Sequence, residues 1–80
     1  MERLDTAKKK TVGTKQTMRA VERGQARVVY VANDAEERVV GPLLKLCEEK
    51  GIEVVRVDSM SELGRRCGIK VGAASAAIIE

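Results

Sequence analysis

The chain has 80 residues, 44% of them hydrophobic and 34% charged, with a formal net charge of +3. That length holds one domain over residues 1–80, burying roughly 60% of its unfolded surface, and excludes a substrate cleft between domains. The longest apolar run, residues 73–79 with Ser75 inside it, is too short to cross a membrane.

Residues 2–10 are polar and helix-compatible, with Leu4 and Ala7 as apolar contacts, and a short first helix is expected there. A brief extended piece at Thr11 and Val12 leads into Gly13. Thr14 is expected to N-cap a helix running to Arg23, with Gly24 as its stop and with Met18 and Val21 facing inward. Residues 28–32 (Val-Val-Tyr-Val-Ala) form a continuous, mostly β-branched run, the pattern of a strand covered on both faces. A helical pattern then reaches Lys50, with Val39, Val40, Leu43, Leu44 and Cys47 on one side and Gly51 as its end. Pro42 is expected to kink this helix or to restart it near N1. Residues 52–57 read as a strand. Ser59-Met60-Ser61-Glu62 is a capping box that opens a short helix with Leu63 and Cys67 turned inward. Gly68 ends that helix, residues 69–72 form a loop, and residues 73–79 make a last strand. The order αβαβαβαβ predicts an α/β fold with a sheet sandwiched by helices.

The sequence offers little for catalysis. It has no histidine to act as a base near neutral pH, and no GxSxG, P-loop or GxGxxG pattern. The adjacent carboxylates Glu36-Glu37 and Glu48-Glu49 point different ways on a helix, so neither pair makes a dyad. Cys47 and Cys67 have neither CxxC nor metal-ligand spacing and read as small apolar residues. A non-enzyme without metal or cofactor is therefore expected. The charged N-terminus carries no signal-type apolar stretch, so a cytoplasmic location is expected as well. Charge is unevenly spread. Residues 1–27 carry eight basic against three acidic side chains, whereas residues 28–53 carry three against six. One basic face suited to a phosphate backbone fits that asymmetry, as does an ordinary solvated surface.

The most informative segment is residues 13–19, Gly-Thr-Lys-Gln-Thr-Met-Arg. Gly13 permits close backbone approach, and the unpaired N–H groups of a helix start attract an anion such as phosphate. Lys15 and Arg19 are four apart and share a helix face, with Gln16 beside them. A guanine edge offers O6 and N7 as acceptors, which Lys and Arg commonly read. A capped surface helix fits the same residues.

Four blocks in order carry a family resemblance: residues 13–17 (Gly-Thr-Lys-Gln-Thr), 20–24 (Ala-Val-Glu-Arg-Gly), 46–50 (Leu-Cys-Glu-Glu-Lys), and 63–69 (Leu-Gly-Arg-Arg-Cys-Gly-Ile) followed by 71–74 (Val-Gly-Ala-Ala). The chain resembles the kink-turn-binding ribosomal protein family (the L-seven-Ae type), in particular its small bacterial YbxF-like members, from about Val12 to Ile79. The resemblance implies a three-layer α/β/α sandwich with a mixed four-stranded sheet. It also implies binding to RNA kink-turns, bent duplexes built on tandem sheared G·A pairs. By that resemblance Gly13, Thr14, Lys15, Gln16 and Arg19 meet the RNA at the G·A pairs. Lys15, Gln16 and Arg19 stand where archaeal members have Asn, Glu and Lys. The loop residues Ile69, Lys70 and Val71 would cover unstacked bases and a phosphate, and a weaker carry-over gives Glu36, Val39 or Val40, and Met60 a part in receiving a flipped-out nucleotide.

The expected partner is structured RNA with kink-turns, in ribosomal RNA or a riboswitch, bound by a monomer, with neither DNA nor a membrane as partner. The near-absence of aromatics separates this reading from single-strand binders that stack bases on Phe or Tyr. The alternative is a protein-interaction or assembly module on the same scaffold without specific RNA binding. Because Gly13 lies at a helix entrance, Gly13→Val is expected to weaken binding with little loss of fold.

Overall fold

A computed structural model gives the fold and describes residues 9–79. In chain order its elements are β1 (Lys10–Val12), α1 (Thr14–Glu22), β2 (Ala26–Ala32), α2 (Glu37–Lys50), β3 (Glu53–Val57), α3 (Met60–Arg66) and β4 (Ser75–Ile79). Most of the helix expected over residues 2–10 lies outside the described residues. Its last two do not fit a helix: Lys10 opens β1, and the Lys9 carbonyl accepts from the Ile79 N–H at 3.1 Å.

The four strands form one mixed sheet in the order β1-β4-β2-β3. Strand β4 runs antiparallel to both β1 and β2, with Val12 opposite Ala76 and Val31 opposite Ser75. Strands β2 and β3 are parallel, with Val29 opposite Val54 and Ala32 opposite Val57. A parallel pair needs a crossover, and α2 supplies it.

The unbroken apolar run of β2 is explained by the two cores it separates. Alternate residues of a strand point to opposite faces. Val28, Tyr30 and Ala32 pack with Val57, Ala76 and, from α3, Leu63 together with Cys67 just past its end. Val29 and Val31 pack with Ala77 and with Val21 of α1 and Val40, Leu43 and Cys47 of α2. Two helices therefore cover one face and α3 the other, giving the three-layer α/β/α sandwich. The cysteines stand on opposite sides of the sheet and both are buried. Burial pushes the Cys47 thiol up.

Helix α2 runs unbroken through Pro42 rather than restarting there. Proline withholds an N–H from the carbonyl four residues back, but Pro42 and Arg38 both lie on the exposed face, where solvent reaches the helix. Half of the expected capping box forms: Ser59 is the N-cap of α3 and its hydroxyl accepts from the Glu62 N–H at 3.0 Å, while the Glu62 carboxylate turns to Arg65 and Arg66.

Candidate nucleic-acid interface

The register places four chain segments at one end of the sheet. Strands β1, β2 and β3 finish there and β4 begins there. The start of α1, the turn at residues 33–36, the start of α3 and the loop at residues 69–74 are thus brought together. Every candidate contact residue except Arg19, Val39 and Val40 lies within one of those segments. The two valines are in the first turn of α2, and Arg19 is in the last turn of α1, four residues beyond Lys15.

Helix α1 begins differently from the expectation. Its N-cap is Gly13, with φ 97° and ψ 149°, and no side chain caps it. Thr14 is the first helical residue. Its hydroxyl is hydrogen-bonded to that of Ser75 at 2.8 Å instead of capping the helix, because it lies against the sheet. The Gly13 N–H donates to the Ser75 carbonyl at 2.8 Å. The Thr11 and Thr17 hydroxyls pair at 2.9 Å one strand over. Ser75 and Thr17 are fully buried, so the first turn is pinned to the sheet from below. On its outer side Lys15, Gln16 and Arg19 are exposed, and the first turn contains no acidic residue. A helix start carries partial positive charge from its unsatisfied N–H groups, and Lys15 and Arg19 add to it.

Gly13 is also a structural glycine. Its dihedral angles lie close to a region nearly restricted to glycine, while a Cβ built there would meet nothing within 4 Å. The constraint is conformational, and the space outside it is open. The expectation that Gly13→Val spares the fold is therefore overturned.

The loop at residues 69–72 divides its two apolar residues between two tasks. Ile69 is half-buried and packs against the α3-side core, whereas Val71 is 70% exposed. Lys70 is exposed beside it. The loop is held by three features that sequence reasoning missed. The Ala73 N–H donates to the Met60 carbonyl at 3.0 Å, and the Met60 N–H donates to Asp34 Oδ1 at 2.7 Å, joining the turn after β2 to the start of α3. Gly64 is buried against the loop so closely that a Cβ there would overlap the Val71 carbonyl oxygen. Sequence signals existed for Ser75 and Gly64: Ser75 is the one polar residue in the apolar stretch 73–79, and Gly64 is a helix-weakening residue inside a short helix.

Of the remaining candidates, Val39 and Met60 are exposed large apolar side chains, while Val40 is 1% exposed and belongs to the core. Glu36 is the N-cap of α2 and forms an ion pair with Arg38 at 2.7 Å. Among the described residues the large hydrophobics on the surface are Val39, Met60 and Val71, and all three sit at this same end. The arrangement is a helix start without a side-chain cap, with exposed basic residues and flanked by exposed apolar side chains.

A family model described as the ribosomal protein L7Ae/L30e/S12e/Gadd45 family matches residues 1–80. The chain belongs to that family. Among curated relatives, an RNA-binding protein of Caldanaerobacter subterraneus subsp. tengcongensis is 56% identical over 69 residues, covering 86% of this chain and 84% of the relative. An RNA-binding protein of Geobacillus sp. is 45% identical over 78 residues, 98% of this chain and 95% of the relative. Among solved structures, the Giardia lamblia 15.5kD RNA binding protein superimposes with a TM-score of 0.87 at 30% identity, covering 99% of this chain and 67% of that one. A Bacillus halodurans protein of unknown function superimposes with a TM-score of 0.84 at 27% identity, covering 96% and 77%.

Proposed function

We propose that this chain is a non-enzymatic RNA-binding protein that recognises and stabilises kink-turns in structured RNA. The observation that carries this reading is the start of α1: an uncapped helix end without acidic residues, with Lys15, Gln16 and Arg19 exposed and the turn beneath them fixed to Ser75. The names of the relatives support RNA as the ligand. The N–H groups and Gly13 take the backbone, and Lys15 and Arg19 donate to guanine O6 and N7 where sheared G·A pairs widen the groove. Val71 covers bases left unstacked at the bend, Lys70 meets a phosphate, and Val39, Met60 and Glu36 border a flipped-out nucleotide. The protein performs no chemistry. It binds the bent RNA better than the open form and shifts the population toward it. The RNA belongs to the ribosome or a riboswitch, and the protein acts on it as a cytoplasmic monomer.

Base reading and plain charge attraction are separable by experiment. Lys15→Ala is expected to cost ~1–3 kcal/mol of affinity and to reduce selectivity for the sheared guanines, with Arg19→Ala acting in the same direction less strongly. Lys45→Ala, on the exposed side of α2, is expected to leave selectivity unchanged. Titrations of each variant against intact and G·A-disrupted RNA at several salt concentrations report the difference. If Lys15→Ala weakens both RNAs equally, the helix start is only an electrostatic patch.

A further inference from the structure

A second basic feature lies on the other side of the sheet from α1. Along β1 the Thr11 side chain meets Thr17 of α1, so Lys10 and Val12 point to the α3 side, where Val12 packs. There a groove of about 440 Å³ is lined, among the described residues, by Lys10, Arg65, Arg66 and Gly68. Glu62 ion-pairs with Arg65 and, at 3.1 Å, with Arg66. One carboxylate thus holds two guanidinium groups side by side, and with Lys10 the described part of the groove keeps an excess of positive charge. The Arg65 side chain is 75% exposed.

We propose that this groove binds backbone phosphates of a duplex arm of the same RNA, beyond the kink. The inference rests on the function proposed above. Its lining suits a phosphate backbone: among the described residues it holds three cations, Lys10, Arg65 and Arg66, which take phosphate oxygens. It is also continuous with the proposed interface. Gly68 begins the loop whose Lys70 and Val71 face the RNA, and α3 runs from Met60 at the interface end to Arg66 at the groove. Seven helical residues span about 10 Å, a few base-pair steps along a duplex arm. An RNA bent at α1 would carry one arm across the loop and onto the α3 side.

The test compares the wild-type protein with the double variant Lys10→Gln/Arg65→Gln on two kink-turn RNAs, one with long duplex arms and one with both arms trimmed. On the long-armed RNA the slope of log affinity against log salt should fall by about 2 in the variant, one unit for each phosphate that is no longer neutralised. The preference for intact over G·A-disrupted RNA should be unchanged, and the trimmed RNA should show no difference between the proteins. The charge-keeping variant Lys10→Arg/Arg65→Lys should restore the wild-type slope, which a folding defect would not. An unchanged slope on the long-armed RNA overturns the proposal, and so does a slope loss that persists on the trimmed one. The wild-type preference for intact RNA tests the proposed function separately. Its absence would sink that reading while the slope comparison still decides whether the groove holds phosphate.

Discussion

Gly64→Ala is expected to destabilise the protein by about 3 kcal/mol and to displace the 69–72 loop with its share of the proposed RNA interface. The added methyl would overlap the Val71 carbonyl oxygen, with the Val71 carbonyl carbon and Gly72 Cα close behind. These are backbone atoms, so no side-chain rotation relieves the clash. The loop is also tied to α3 by the Ile69 N–H to the Gly64 carbonyl and the Ala73 N–H to the Met60 carbonyl, each 3.0 Å. Either the helix and loop separate, breaking those bonds, or the whole segment shifts. For a domain of this size total stability is roughly 4–12 kcal/mol, so the loss is a large share. Urea unfolding of the two proteins gives the difference from the midpoints. A variant with the wild-type midpoint and wild-type RNA affinity would mean that the loop is not held against α3 as described.

Gly13→Val is expected to act twice. Holding a β-branched residue near φ 97° and ψ 149° costs about 1–3 kcal/mol of stability. The valine side chain then fills the open space where the RNA backbone is to approach. Affinity measured at low temperature, where both proteins remain folded, should therefore fall as well. Unfolding and binding are measured on the same variant. A stability equal to wild type would show that the backbone at residue 13 relaxes without strain. Full affinity in a folded variant would place the RNA elsewhere.

Much of the architecture could be read from residue order because local and long-range signals agree. The run at residues 28–32 needed apolar side chains on both faces, and the two cores flanking β2 supply them. Gly51, in the left-handed conformation at φ 68°, ends α2 where the pattern stopped, and the Ser59 cap formed because all its partners lie within four residues. What the sequence concealed depends on approaches between distant residues. Thr14 has the right chemistry for a cap, yet Ser75, 61 positions away, takes its hydroxyl. Ile69 and Val71 are equivalent apolar residues in sequence, but only the fold turns one into the core and leaves the other exposed. Asp34 gave no local sign that it holds the start of α3, and Gly64 stood out as a glycine in a helix without showing which backbone it meets. The shared exposed face of Lys15 and Arg19, by contrast, could be read from spacing alone, since two residues four apart need only a helix to lie side by side.

The most direct measurement of the central claim is a titration of the wild-type protein with two RNAs that differ only at the kink. One carries tandem sheared G·A pairs. In the other, Watson–Crick pairs replace them, so length and charge stay the same. Non-specific attraction to phosphate depends on charge and salt and treats the two alike. A protein that reads the sheared guanines through Lys15 and Arg19 binds the intact kink-turn more tightly, by ~1–3 kcal/mol for each guanine edge it reads, and keeps that preference as salt is raised. Equal affinity for the two RNAs at every salt concentration would contradict the account.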